Sequence, residues 1–129
     1  MLKFTVKEGY VEGDFPFGDV PISSDANLGI LPTELLAASI ASCSGLVFES
    51  ILKKQRIKVD TVTIDVNMIQ NANEANRVKK VILTYNVKGK NLHERKLLNS
   101  LALTKKYCTI VRSVEKSIEV EKKLFILPH

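Results

Sequence analysis

Residues 2–11, LKFTVKEGYV, set Leu2, Phe4 and Val6 against Lys3, Thr5 and Lys7, the two-residue period of a half-buried strand. Residues 12–31 mix prolines, glycines and aspartates with hydrophobics and predict a short strand around Phe15 to Val20 followed by a loop. From Pro32 the pattern changes, with apolar residues on nearly every helical face to about Arg56. That predicts a buried helix which other elements must cover on all sides. Pro32 and Glu34 suit its first turn, and Lys53, Lys54 and Arg56 suit its last. Residues 58–69 and 77–88 alternate through Val62, Ile64, Val66 and Met68, then Val81, Leu83, Tyr85 and Val87, which predicts a hairpin-like pair lying on that helix. Asn91 and Glu94 form a capping-box-like start to an amphipathic helix carrying Leu97, Leu98, Leu101 and Ala102 to about Tyr107. A short helix from Cys108 to about Glu115 and a strand over 117–127, with Ile118, Val120, Leu124 and Ile126 on one side, complete the order β-β-α-β-β-α-α-β. The fold class is α+β, antiparallel strands covering a long central helix.

At 129 residues, 45% hydrophobic and 26% charged, the chain fits a single domain over residues 1–129. Its N-terminus lacks the charged-then-apolar run of a secretory signal. The apolar stretch from Leu35 to Leu52 is broken by four serines, Gly45 and Glu49, so the expected location is cytoplasmic, without a membrane anchor. The net charge of +5 is unevenly spread, about −5 over residues 1–52 and +10 over 53–129, a pattern suited to two halves that attract each other within a chain or between copies. Lysines are scattered and aromatics few, so no basic stripe or stacking platform points to nucleic acid.

Candidate chemistry narrows by inventory. The two histidines, His93 and His129, form no ligand cluster with a cysteine, so neither a metal nor another cofactor is expected. There is no phosphate-cradling glycine loop, no nucleophilic serine motif and no close carboxylate pair. Cys43 and Cys108 remain, open to two readings: small buried hydrophobes, or a redox pair in a reducing compartment. Cys43 lies mid-way along the central helix among apolar neighbours, where burial alone raises a thiol pKa. Cys108 falls near the start of a helix that favours a thiolate, with Arg112 four residues on.

The stretch LPTELLAASIASC at 31–43 resembles the P-x-E-L-L-x-A-S-x-A-x-C signature of the OsmC/Ohr family, osmotically induced proteins and organic hydroperoxide reductases. YCTIVRSV at 107–114 is similar to the family's second, cysteine-bearing motif, and the element order agrees over nearly the whole chain. The resemblance implies an intertwined homodimer, two sheets enclosing long central helices, and a two-cysteine site at the subunit interface. By position Cys43 is then the peroxidatic thiol and Cys108 the resolving thiol. Departures accompany the match: Thr33 stands where the family's reductases carry an activating glutamate, and no arginine precedes Arg56. Thr109 and Val111 replace the proline and serine of the second motif. Glu34, nine residues before Cys43, points the other way round the helix and reads as a first-turn dipole partner. An activating cation would then come from Arg112 or from Arg56 of a second copy.

Two functions follow from the resemblance. One is a thiol peroxidase that reduces an organic hydroperoxide through a Cys43 sulfenic acid and a Cys43–Cys108 disulfide, with an external dithiol as reductant. The other is a non-catalytic binding or stress protein that keeps the fold and its apolar pocket without efficient peroxidase chemistry.

Overall fold

The computed structural model describes residues 1–128, in two compact units, Met1–Ala38 and Ser39–His129. The first holds an antiparallel sheet of β1 (Lys3–Val6), β2 (Val11–Phe15) and β3 (Gly18–Ile22), ordered β1-β2-β3. The sequence predicts two strands here, and the chain forms three. Gly9, at φ +83°, reverses the run expected to be continuous to residue 11, and Lys7 N–H donates to the Tyr10 carbonyl at 2.8 Å across the turn. Phe4 and Phe15 meet edge to face across the sheet, 5.9 Å between ring centroids. The following loop is held by its own polar groups. Ser23 Oγ donates to the Gly9 carbonyl at 2.6 Å, and Ile30 N–H donates to the Pro21 carbonyl at 2.9 Å.

Helix α1 (Pro32–Lys54) starts at the residue the sequence marks. Leu31 N–H, orphaned by the helix start, donates to Glu34 Oε1 at 2.9 Å, so Glu34 serves as half of a capping box as well as facing the positive end of the dipole.

In the second unit, β4 (Thr61–Asn71) and β5 (Arg77–Lys88) pair antiparallel from Thr61 opposite Lys88 to Asn71 opposite Arg77, with an irregularity at Ile69 and Gln70. Ala75 and Asn76 turn the chain between them with left-handed backbone. β5 is the central strand, and Val81, Leu83, Tyr85 and Val87 are fully buried on one face, as the alternation predicts. The third strand, β6 (Glu119–Ile126), differs from the all-antiparallel expectation because it runs parallel to β5, Lys80 opposite Glu119 through Val87 opposite Ile126. α2 (Glu94–Tyr107) and α3 (Thr109–Val114) lie between them in the chain and form the long crossover that a parallel pair requires.

The expected capping role of Asn91 is not realised. Asn91 sits in the left-handed region at φ +55°, and His93 takes the N-cap position without a side-chain bond. α2 buries Leu97, Ser100, Leu101 and Thr104, the stripe of an amphipathic helix.

α1 buries Ile40, Ser44, Phe48, Ile51 and Leu52, spaced by four and three residues, and Phe48 packs edge-on to Tyr85 of β5 at 5.2 Å. The expected cover on all sides is not found within one chain, since Leu46 on the opposite side of the helix is 67% exposed. Among the described residues α1 alone has the length and hydropathy of a membrane span, and Phe48 and Leu52 on one of its faces are buried against protein.

Candidate active site

Cys43 and Cys108, remote in sequence, come together in the second unit as free thiols. α1 carries Cys43 on its fourth turn. Cys108 is the residue between α2 and α3, holding extended backbone (φ −82°, ψ 107°) as C-cap of one helix and N-cap of the next. Its N–H donates to the Thr104 carbonyl at 2.9 Å, closing α2. The N–H groups that begin α3 are then left without helical partners and can serve a neighbouring acceptor.

That acceptor is the Cys43 sulfur. The Ile110 N–H holds the Cys43 thiol below its ordinary pKa, helped by the Cys108 thiol and the Thr109 N–H and opposed by desolvation. Cys108 is fully buried, and burial pushes its thiol up. The neighbouring Cys43 sulfur pushes in the same direction, against the Val111 and Ile110 N–H groups. The pair is thus asymmetric: a half-buried thiol held below its ordinary pKa, beside a buried one held above it that hydrogen-bonds to it.

Two residues that the sequence analysis did not single out complete the surroundings. Tyr85, fully buried on β5, shares a hydrogen bond between its hydroxyl and Ser44 Oγ, next in sequence to Cys43. Burial raises its phenol to about 12, with both cysteine sulfurs adding to the shift, so it stays neutral beside a thiolate. Lys122 of β6 donates to the fully buried hydroxyl of Thr104 and interacts electrostatically with Cys108. Tyr85 has the spacing of an ordinary core residue and gave no signal. Lys122 did give one, as the lysine in the inward register of Ile118, Val120, Leu124 and Ile126.

The two arginines stand apart from these contacts. Arg112 pairs with Glu115, Nε to Oε1 3.4 Å, and its side chain is 60% exposed. Arg56 follows the end of α1 with left-handed backbone at φ +57°. Thirteen residues past Cys43, it lies roughly 20 Å along the helix by the rise per residue. The lowering of Cys43 within this chain comes from backbone N–H groups and the second thiol. His93 caps α2, and His129 lies outside the described residues. One helical turn beyond Cys43, a hollow of about 430 Å³ is lined by Val47, Ile51, Leu103 and Tyr107 together with Ser50, Lys54 and Gln55, neither cysteine being among its lining residues.

A comparison with known proteins places this arrangement. Solved structures of similar fold include a hypothetical protein from Aquifex aeolicus VF5, 24% identical, covering 98% of this chain and 95% of its own, TM-score 0.88. An OsmC-like protein from Mycoplasma pneumoniae is 9% identical with coverages of 99% and 98% and TM-score 0.85. The organic hydroperoxide resistance protein OhrB of Bacillus subtilis is 20% identical with coverages of 97% and 96% and TM-score 0.69. No curated protein sequence matches this chain. The family model described as OsmC-like protein matches residues 24–123, a span that takes in both cysteines, Tyr85 and Lys122, and the chain therefore belongs to the OsmC-like family.

Proposed function

We propose that the protein is a thiol peroxidase acting on organic hydroperoxides, with Cys43 as the attacking thiolate and Cys108 as the resolving thiol. The observation that carries this reading is the asymmetric pair itself, an accessible sulfur held toward the thiolate by N–H groups and a buried thiol within reach of it. The Cys43 thiolate attacks the terminal oxygen of the peroxide. The O–O bond breaks, the alkoxide leaves and takes a proton to become the alcohol, and Cys43 is left as a sulfenic acid. Cys108 sulfur then displaces the hydroxyl, which departs as water, and an external dithiol reduces the resulting disulfide. In this reading the backbone N–H groups serve in place of the activating glutamate that Thr33 replaces. Val47, Ile51 and Leu103, which line a hollow one turn along α1 from Cys43, favour a carbon-rich peroxide over hydrogen peroxide in this reading.

The working form in this reading is a homodimer. α1 is apolar nearly all round yet covered on one face, and a groove of about 910 Å³ runs between α1 and β4 past the exposed Leu46, with Gly45, Val62 and Ile64 in its lining.

Mass spectrometry after addition of cumene hydroperoxide tests the chemistry. A Cys43–Cys108 disulfide is expected to form and to be absent in Cys43→Ser, and dithiothreitol is expected to sustain turnover. Alkylation of Cys43 is expected to titrate below the roughly 8.5 of a free thiol. Ordinary thiol reactivity and turnover at the uncatalysed level favour the non-catalytic binding protein instead.

A further inference from the structure

Lys122 has no evident structural reason to be where it is. In β6 it stands opposite Leu83 of β5, in a parallel register that places both on the same face of the sheet, the face of Val81 and Tyr85. Its neighbours along that side of β6 are Val120 and Leu124. A lysine in an apolar register is costly unless its ammonium finds partners. Among the described residues no carboxylate forms an ion pair with Lys122. Its anchor is Thr104 Oγ1, which is itself fixed by donating to the Leu101 carbonyl at 2.6 Å. The backbone carbonyl of that same threonine holds the Cys108 N–H, so one residue ties both the ammonium and the sulfur-bearing residue in place.

We propose that Lys122 is the positioning cation of the Cys108 sulfur, which it steadies as a thiolate once Cys43 has been oxidised; the inference rests on the peroxidase reading. In the reduced pair, burial above all holds the Cys108 proton on, and the Cys43 sulfur adds to it. Conversion of Cys43 to a neutral sulfenic acid removes the second contribution and leaves burial, and Lys122 is then the nearby charge that offsets it. Cys108 then gives up its proton, its sulfur bonds to Cys43 sulfur, the S–O bond breaks, and hydroxide takes a proton and leaves as water. The other groups around this corner are Tyr85, which stays neutral, Lys105, which disfavours a second positive charge, and Glu115 and Glu119, which line with Lys105 and Lys122 a hollow of about 330 Å³ and whose carboxylates form no ion pair with Lys122, Glu115 Oε2 being buried without a hydrogen-bond partner. Burial and Lys105 hold the Lys122 ammonium below its ordinary pKa, and Cys108 opposes them, which gives the two groups reason to charge together.

The test is the thiolate absorbance of Cys108 against pH in Cys43→Ser, which imitates an uncharged partner and needs no peroxide. The signal of Cys43→Ser, Cys108→Ser is subtracted. Lys122→Gln, which keeps a donor for Thr104 but no charge, is expected to move the midpoint up by about one pH unit, and Lys122→Arg to restore most of it. Thr104→Val, which frees the ammonium without removing it, is expected to move the midpoint the same way and serves if Lys122→Gln does not fold. An unmoved midpoint in the folded variants, or Lys122→Arg matching Lys122→Gln, overturns the proposal. A shifted midpoint in a protein without peroxide turnover sinks the peroxidase reading alone. Turnover with an unmoved midpoint sinks this inference alone.

Discussion

Tyr85 shows how one side chain links the core to the sulfur chemistry. Its ring packs on Phe48, and its hydroxyl satisfies Ser44 in a place with no other described partner for that serine. Because the folded protein holds the phenol at about 12 while an unfolded chain ionises near 10, the unfolded state sheds its proton first as pH rises. Stability from this group is therefore intact below about pH 10 and falls by roughly 2–3 kcal/mol between there and pH 12. Urea unfolding followed across that range should show the decline, and Tyr85→Phe should flatten it. The same variant should lose about 1–3 kcal/mol at neutral pH, because Ser44 Oγ is left buried without its partner. At this scale the cysteine pair was legible from motif and spacing. The roles of Tyr85 and Ser44 were not, since a tyrosine in a strand and a serine in a helix also fit plain packing. The N–H groups that act on Cys43 belong to the backbone and carry no side-chain signature at all.

Elements were legible where periodicity was strong and obscure where partners decide. β5 matches its predicted range of 77–88, and α1 begins at its predicted proline. Alternation says which face of a strand is buried and nothing about the direction of its neighbour, so the parallel pairing of β6 had to come from the structure. Asn91 and Glu94 have the letters of a capping box, yet a left-handed Asn91 ends the turn after Gly89 instead. Gly29 shows a constraint of a different kind. Its φ is not in the left-handed region, but a Cβ there would lie 2.7 Å from the Pro21 carbonyl oxygen and 3.0 Å from Ile22 N, backbone atoms that cannot move without disturbing β3. Gly29→Ala is expected to cost about 1–3 kcal/mol and to speed amide exchange at Ser23 and Ile30, whose N–H groups bond across this approach. Unchanged exchange at both amides would contradict that account.

For the molecule as a whole, hydropathy along α1 demanded more cover than one chain supplies. Leu46 is 67% exposed in the midst of the helix, and Phe17 and Tyr107 are exposed as well. In the homodimer reading a second copy takes up part of this surface. Light scattering should then give twice the 14.4 kDa of the chain, and Leu46→Glu should shift the population toward one copy by placing a charge in the covered groove. A single-chain mass for the unaltered protein at micromolar concentration would remove dimerisation from the proposal while leaving the sulfur geometry within one chain as it is. The sequence called for cover on every face of α1 and left the surface that supplies it unnamed, and the expectation of a second copy came from the family resemblance alone.

The placement of β6 after both cysteines bears on folding. α1, the β4–β5 hairpin and the α2–α3 corner all precede Glu119–Ile126 in the chain, so the strand that carries Lys122 reaches the sheet through the crossover that holds Cys108. Docking of the last strand then both completes the sheet and delivers the ammonium to its threonine. In the reading proposed above, a chain whose β6 has come away from β5 carries both thiols without that cation, and the resolving step depends on the last strand of the sheet.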